Sequence, residues 1–262
     1  MPTIYKYLAV WVLIFAVPSI QAQPKIADEA AIPIVSVNNE LGYRLAIPVG
    51  AGPFPVVVFA NNCQGYDAAP EILRGYHRHT ARLINSAYAV VWNDYFKAKG
   101  IANCQRGLDW ADWTRDLLRT AEWAKTQTWG KDQPVYLIGF SAGASAVPLL
   151  LADADRATKA FSKIVMMYPN CDIANFGPWK ATVPVLHLVG TRDGRANTMS
   201  YCNDVVLRTQ DKSHLRAQEF SGAYHGFDLY EEGSRAISGD SNGSASALAS
   251  IAAWKIWMDF LK

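Results

Sequence analysis

At 262 residues, half of them hydrophobic, the chain is long enough for one large domain with a substantial core. Its 25 basic and 23 acidic residues leave a net charge of +2. No basic stripe or block of like charge interrupts that balance, so nothing points to nucleic acid as a partner.

The chain opens Met1-Pro2-Thr3-Ile4-Tyr5-Lys6, followed by an apolar run from Leu8 to Val17 and then Pro18-Ser19-Ile20-Gln21-Ala22-Gln23. One cation, an apolar run of about ten residues and a small residue at its end form a leader pattern, shorter than the ~20 residues of a membrane span. The expectation is a signal peptide over residues 1–22, secretion or periplasmic location, and a single domain over residues 23–262 without stable membrane insertion. A retained anchor and a buried first element are the alternatives for the same stretch. Export changes how Cys63, Cys104, Cys171 and Cys202 read. They lack the Cys-x-x-Cys spacing of a zinc ribbon or a redox motif, and an even number in an oxidising compartment favours two disulfides. Three pairings are open from sequence.

Next comes a leading hairpin, Pro33–Val37 and Tyr43–Ile47. Continuous apolar runs then read as strands: Val56–Ala60, Ala87–Trp92, Val135–Phe140, Ile164–Tyr168 and Val183–Val189, with Leu215–Phe220 a weaker one. Continuous rather than alternating apolar strands suit a parallel sheet covered on both faces. Helical patterns separate them. Ile72–Ser86 follows the first core strand, and Asp109–Lys125 carries Trp110, Trp113, Leu117, Ala121 and Ala124 as one apolar stripe. Ala142–Ala152 reads as a short buried helix, Glu231–Ser246 as an exposed loop, and Ala245–Leu261 as the closing helix. Strands and helices in this alternation define an α/β fold, with a mostly parallel central sheet and helices on both faces.

Chemistry concentrates at Gly139-Phe140-Ser141-Ala142-Gly143, where the run Val135–Ile138 ends and a helical stretch begins. That is the strand–turn–helix setting of a G-x-S-x-G nucleophile elbow, whose glycines keep side chains out of a strained turn. Ser141 is the expected nucleophile, with a helix N-terminus behind it directing amides and positive potential at the site. Its partners should follow in the order acid, then histidine. His225 lies in the small-residue loop Ser221–Asp228 beyond the last strand and is the expected base. His214 stands at the start of a strand, and His77, His79 and His187 precede the acid, so structural roles suffice for them. Asp193, leaving Val183–Val189, is preferred as the acid because its loop and the histidine loop then flank adjacent elements, while Asp172 holds the analogous place one strand earlier. The oxyanion hole would use the amide of Ala142 and one from the loop Asn61–Gly65, with Cys63 the choice. Arg106, Arg192 and Arg195 read as solvated surface arginines that could also meet an anionic substrate.

Several segments together resemble the dienelactone hydrolase family, especially its exported members. They are Val57–Asp67 with its Cys-x-Gly turn, Asn93–Arg106 ending in Asn103-Cys104, and Gly139–Gly143. Tyr168-Pro169-Asn170-Cys171, the run from Val183 to Cys202, and Tyr224-His225-Gly226-Phe227-Asp228 complete the set. The resemblance implies an α/β-hydrolase fold, a triad at Ser141, Asp193 and His225, and disulfides Cys63–Cys104 and Cys171–Cys202. Two departures stand out: founding members use a cysteine nucleophile, and relatives often carry His-Gly where this chain has Asn61-Asn62. The reaction expected is hydrolysis of a small-molecule carboxylic ester or lactone through an acyl-enzyme, with no metal and no organic cofactor. A peptidase or acyltransferase with the same triad, and a non-catalytic secreted binding protein, are the rival readings.

Overall fold

A computed structural model of the chain describes residues 34–37, 42–66, 69–105, 107–169, 180–193, 213–229 and 244–262. The sequence readings of a leader over 1–22, of the pair Cys171–Cys202, and of Asp172, Arg106 and Arg195 lie outside these residues. Among the described residues the strands are β1 (Val35–Ser36), β2 (Tyr43–Ala46), β3 (Val56–Ala60), β4 (Ala89–Asn93), β5 (Val135–Phe140), β6 (Lys163–Met167), β7 (Val185–Gly190) and β8 (Leu215–Phe220). They form one sheet in the order β1-β2-β4-β3-β5-β6-β7-β8. Pairings from β4 through β8 are all parallel, while β1–β2 and β2–β4 are antiparallel. The expected hairpin is present, with Val35 opposite Leu45. Its second arm extends the parallel sheet through β4, a pairing that apolar runs do not reveal.

The helices are α1 (Pro70–Asn85), α2 (Tyr95–Ala98), α3 (Trp110–Thr126), α4 (Ala142–Ser145), α5 (Val147–Ala152), α6 (Ala154–Ala160) and α7 (Ser244–Leu261). Alternation along each strand divides the core in two. Val56, Val58 and Ala60 pack with Val91, Trp113 and Leu117 against α3. Val57, Phe59, Trp92 and Phe140 pack on the other face with Tyr76 and Leu83 of α1 and Trp257 of α7. Both faces of β3, β4 and β5 are therefore dry, which accounts for their largely apolar sequence. Helix starts follow their caps: Pro70 sits where its missing N–H costs nothing, and the Asp109 carboxylate accepts the Asp112 amide at 2.9 Å at the head of α3.

Three sequence expectations need correction. Ala142–Ala152 is not one helix. Pro148 has no N–H to give to the carbonyl four residues back, so the chain ends α4 at Ser145 and restarts as α5. Ser244, read only as exposed loop, belongs to α7, and Ser246, which fell in both the loop and the closing helix, is helical and buried and accepts the Tyr224 amide at 3.2 Å. Ala87 is not in a strand but turns at φ 61° before β4 begins. The short helices α2 and α6 carry too few residues for periodicity to announce them.

His187, in the middle of β7, is 2% exposed, and neither ring nitrogen has a partner among the described residues. Burial alone lowers its pKa to about 4, because a charged imidazole without water or a counter-ion is unfavourable. The folded value lies below the unfolded value of ~6.5, so the unfolded chain binds the extra proton first as pH falls. Stability from this group is complete above pH 6.5 and declines by about 3 kcal/mol between pH 6.5 and pH 4. Burial lowers the His79 pKa too, and that adds in the same direction. Urea unfolding of His187→Leu across pH 7 to 4 should show a flatter decline than the parent. An unchanged slope would mean that His187 is not a buried neutral group.

Candidate active site

Because β3, β5, β6, β7 and β8 run parallel in matched register, their carboxyl ends reach one edge of the sheet. Ala60 lies opposite Gly139, Phe140 opposite Met167, and Gly190 opposite Phe220. The described residues that follow β3, β5, β7 and β8 meet over that edge, where open α/β sheets carry their ligands.

Ser141 follows β5 at once, with φ 51° and ψ −109°. A residue with a Cβ pays about 1–3 kcal/mol for such a backbone unless its surroundings hold it there. Here its amide donates to Met167 O at 3.0 Å, and its carbonyl accepts both the amide and the hydroxyl of Ser145 at 2.9 and 3.0 Å. The turn also needs its glycines. A Cβ on Gly139 would come within 2.6 Å of Gly143 and of the Ala144 nitrogen, and one on Gly143 within 2.3 Å of Ala60 O. The elbow is thus pressed against the end of β3 so closely that the Gly143 amide donates to Asn61 O at 3.0 Å.

The loops after β7 and β8 are fastened to each other. Thr191 and Arg192 donate their amides to Phe220 O and Ala223 O at 3.0 and 2.9 Å, and the Gly222 amide donates to the Thr191 hydroxyl at 2.8 Å. Gly190 permits this approach, since a Cβ there would stand 2.3 Å from Ala223 O. The fastening brings Asp193 and His225 together. Asp193 Oδ2 is 2.7 Å from His225 Nδ1, and His225 Nε2 is 2.8 Å from Ser141 Oγ. A carboxylate only accepts, so Nδ1 carries the proton and donates to Asp193. Nε2 is then left with its lone pair toward the Ser141 hydroxyl, which donates to it. Ser141 is 5% and Asp193 7% exposed, so the acid lies beneath the histidine. His214 is elsewhere, at the start of β8, with Nδ1 3.1 Å from Ala181 O.

On the other side of Ser141, the loop after β3 is tied down at nearly every residue. Asn61 Nδ2 donates to Asn93 O, the Asn62 amide to the Tyr76 hydroxyl, the Gln64 amide to Asn62 Oδ1, and the Gly65 amide to Asn62 O, at 2.9–3.2 Å. Burial pushes the Tyr76 phenol far above its ordinary pKa, so its oxygen stays a neutral acceptor for Asn62. Cys63 is bonded to Cys104 by a disulfide, and Cys63 O accepts the Cys104 amide at 2.9 Å. Among the described residues the amides of Cys63 and Ala142 have no acceptor, while those of Asn62, Gln64, Gly65, Ser141 and Gly143 do. Beneath the loop, Asn93 donates to Asp116 Oδ2 and Thr120 Oγ1 and accepts from Trp113 Nε1. Burial raises the Asp116 pKa. The break of the helix at Pro148 leaves only a one-turn α4 behind Ser141, so local amides rather than a long helix dipole set the potential there.

Residue patterns missed three side chains around His225. Tyr168 stands edge-on to its imidazole at 4.9 Å, and Asp228 and His79 pair behind it at 2.8 Å. A buried histidine on an apolar helix face carries no sequence signal of its partner. Arg192 is exposed at the rim. Among the described residues no group of three His, Cys, Asp or Glu is placed to hold a metal ion, and no helix is long and apolar enough to cross a membrane.

The family profile described as the dienelactone hydrolase family matches residues 41–262. No curated protein matches the chain in sequence. Solved structures do resemble it. A dienelactone hydrolase from Anabaena variabilis is 20% identical with a TM-score of 0.57, covering 84% of this chain and 95% of its own. A dienelactone hydrolase-like promiscuous phosphotriesterase from metagenomic libraries is 19% identical with a TM-score of 0.59, covering 88% and 94%. An esterase from Pyrobaculum calidifontis is 18% identical with a TM-score of 0.54, covering 88% and 89%. These likenesses establish a shared α/β-hydrolase fold.

The disulfide closes a loop of 41 residues in sequence. In the chain-entropy account that is worth about 4 kcal/mol through restriction of the unfolded chain. The double variant Cys63→Ser/Cys104→Ser should lose stability on that scale in urea titration. Peptide mapping without reductant should recover Cys63 joined to Cys104, and a different partner for Cys63 would overturn the assignment.

Proposed function

Because the chain belongs to the dienelactone hydrolase family, we propose that it is an exported serine hydrolase that cleaves a carboxylic ester or lactone through an acyl-enzyme on Ser141. The observation that carries this reading is the continuous relay Ser141–His225–Asp193, with both hydrogen bonds at 2.7–2.8 Å. In the mechanism His225 Nε2 takes the Ser141 proton as the oxygen attacks the carbonyl carbon. Asp193, accepting from Nδ1, keeps the imidazole in the required tautomer and stabilises its cation. The substrate oxygen becomes an oxyanion facing the amides of Cys63 and Ala142, each donor worth on the order of 3 kcal/mol to the transition state. The imidazolium returns its proton to the leaving alkoxide. Water then attacks the acyl-enzyme, giving its proton to Nε2; the bond from Ser141 Oγ to the acyl carbon breaks, the imidazolium returns that proton to Oγ, and the acid departs. In a lactone the alkoxide and acyl group belong to one molecule, so ring opening leaves the freed hydroxyl tethered to the acyl-enzyme until hydrolysis releases one hydroxy acid.

Export rests on the leader pattern of residues 1–22, with residues 23–262 as the mature single domain; the disulfide at Cys63 suits an oxidising compartment. A small-molecule ester or lactone is the partner this chemistry requires. Mature protein from an exporting host should begin near Gln23.

A fluorophosphonate should label Ser141 covalently, since a serine paired with a poised base is activated. Labelling should vanish in Ser141→Ala and persist in Ser145→Ala. Label on the Ser141→Ala protein would remove the central claim. In Asp193→Asn, the amide stabilises the wrong tautomer, and kcat should fall about 10⁴-fold with little change in KM. Near-normal turnover by that variant would place the acid elsewhere, and Asp172→Asn would then be the variant to measure.

A further inference from the structure

We propose that Asp228, held by His79 and Arg78 of helix α1, is a positioning residue for His225 and acts through the ring of Tyr168. This rests on the serine-hydrolase reading and adds to it a second, wholly buried His–Asp pair behind the first.

Asp228 lies in the 3₁₀ turn Phe227–Leu229, three residues beyond His225, and is 1% exposed. Its Oδ2 is 2.8 Å from His79 Nε2. Its main-chain carbonyl accepts from Arg78 Nη2 at 2.8 Å and from the Ser250 hydroxyl at 3.2 Å. Both the backbone and the carboxylate of Asp228 are therefore fixed from α1, with α7 adding a third bond. His79 is enclosed by aromatic rings: Phe140 and Trp254 stack on it at 5.7 and 6.2 Å, and Trp257 meets it at 5.9 Å. Burial lowers its pKa. The neutral ring must then donate from Nε2 to the carboxylate, and Nδ1 has no partner among the described residues.

A pair like this is a poor way to stabilise a core. Desolvation of the two groups offsets their attraction, and apolar residues of similar size would serve stability as well or better. What the pair does provide is direction. Burial, and after it the charge of Asp228, raises the Tyr168 pKa and holds the phenol protonated, while Phe227, the residue before Asp228, packs on the Tyr168 ring. The same ring presses edge-on against His225 at 4.9 Å and against Phe227 at 5.4 Å. Tyr168 itself has φ 39°, and its amide donates to Leu188 O at 2.7 Å. A ring so held limits the tilt of the imidazole between Asp193 and Ser141. Loosening Asp228 frees the hydroxyl, the ring and the turn that follows His225. An imidazole displaced by an ångström loses alignment with the Ser141 proton, which can cost about a hundredfold in rate.

The test compares Asp228→Asn, His79→Leu, His79→Gln and Tyr168→Phe, each first shown to be folded at the assay temperature. The readouts are kcat and KM on an aryl ester that the parent hydrolyses, and the second-order rate of Ser141 labelling by a fluorophosphonate. Asp228→Asn and His79→Leu should lower kcat and labelling rate about tenfold to a hundredfold, with KM within about twofold. His79→Gln, which restores an N–H near the position of Nε2, should recover most of the loss. Adding Tyr168→Phe to Asp228→Asn should cost little more, because both break one link. If His79→Leu does not fold, Tyr168→Phe alone, lacking one oxygen, should still slow labelling severalfold. Full kcat in folded Asp228→Asn and Tyr168→Phe overturns the proposal, however far their melting temperatures fall. A parent protein that takes no label overturns the serine-hydrolase reading and this proposal with it.

Discussion

The close approach of the turn after β5 to the end of β3 constrains everything at the sheet edge. Ser141 can hold φ 51° only because Gly139 presents no Cβ to Gly143 and Ala144, and Gly143 none to Ala60 and Asn61. The same approach brings the Ala142 amide and the loop carrying Cys63 to one place. A larger residue at 139 or 143 would not merely crowd the turn. It would separate the strand that presents the serine from the strand whose loop faces it. Strain at Ser141 persists because Met167 O and Ser145 over-determine its peptide groups.

Across the site the constraint is of another kind. β7 and β8 are joined beyond their last residues by the bonds of Thr191, Arg192 and Gly222. Those bonds make one rigid unit of two loops that come from different parts of the chain. β8 is the outer strand and much of it is exposed, so its own burial would not fix the His225 loop. Fixation comes from the Gly190–Ala223 contact on one side and from Asp228, clamped to α1, on the other.

Polar groups are buried where that fixation is needed. Asn93 joins the loop after β3 to α3 through Asp116, Thr120 and Trp113. Tyr76 holds the Asn62 amide, and the disulfide holds Cys63. His187 is the exception, since it is buried without a partner among the described residues. It costs stability as acid is added, and no interaction among the described residues explains it.

The sequence by itself determined the layers. Continuous apolar runs identified the parallel strands, because strands dry on both faces leave no polar alternation. The small residues around Ser141 identified the strained turn, because only they fit it. Asn93, Asp116, Tyr76, His79, Tyr168 and Asp228 were not legible as a set, since each pairs with a residue tens of positions away and a residue type does not encode its partner. The preference for Asp193 over Asp172 was likewise a matter of loop position, and no residue pattern showed that Asp193 would lie 2.7 Å from His225. Nor did the apolar run Ala142–Ala152 disclose that it breaks at Pro148, because burial on all sides hides the period. Local chemistry is written in neighbouring residues; which distant loops touch is decided by strand order and register, which only the folded sheet supplies.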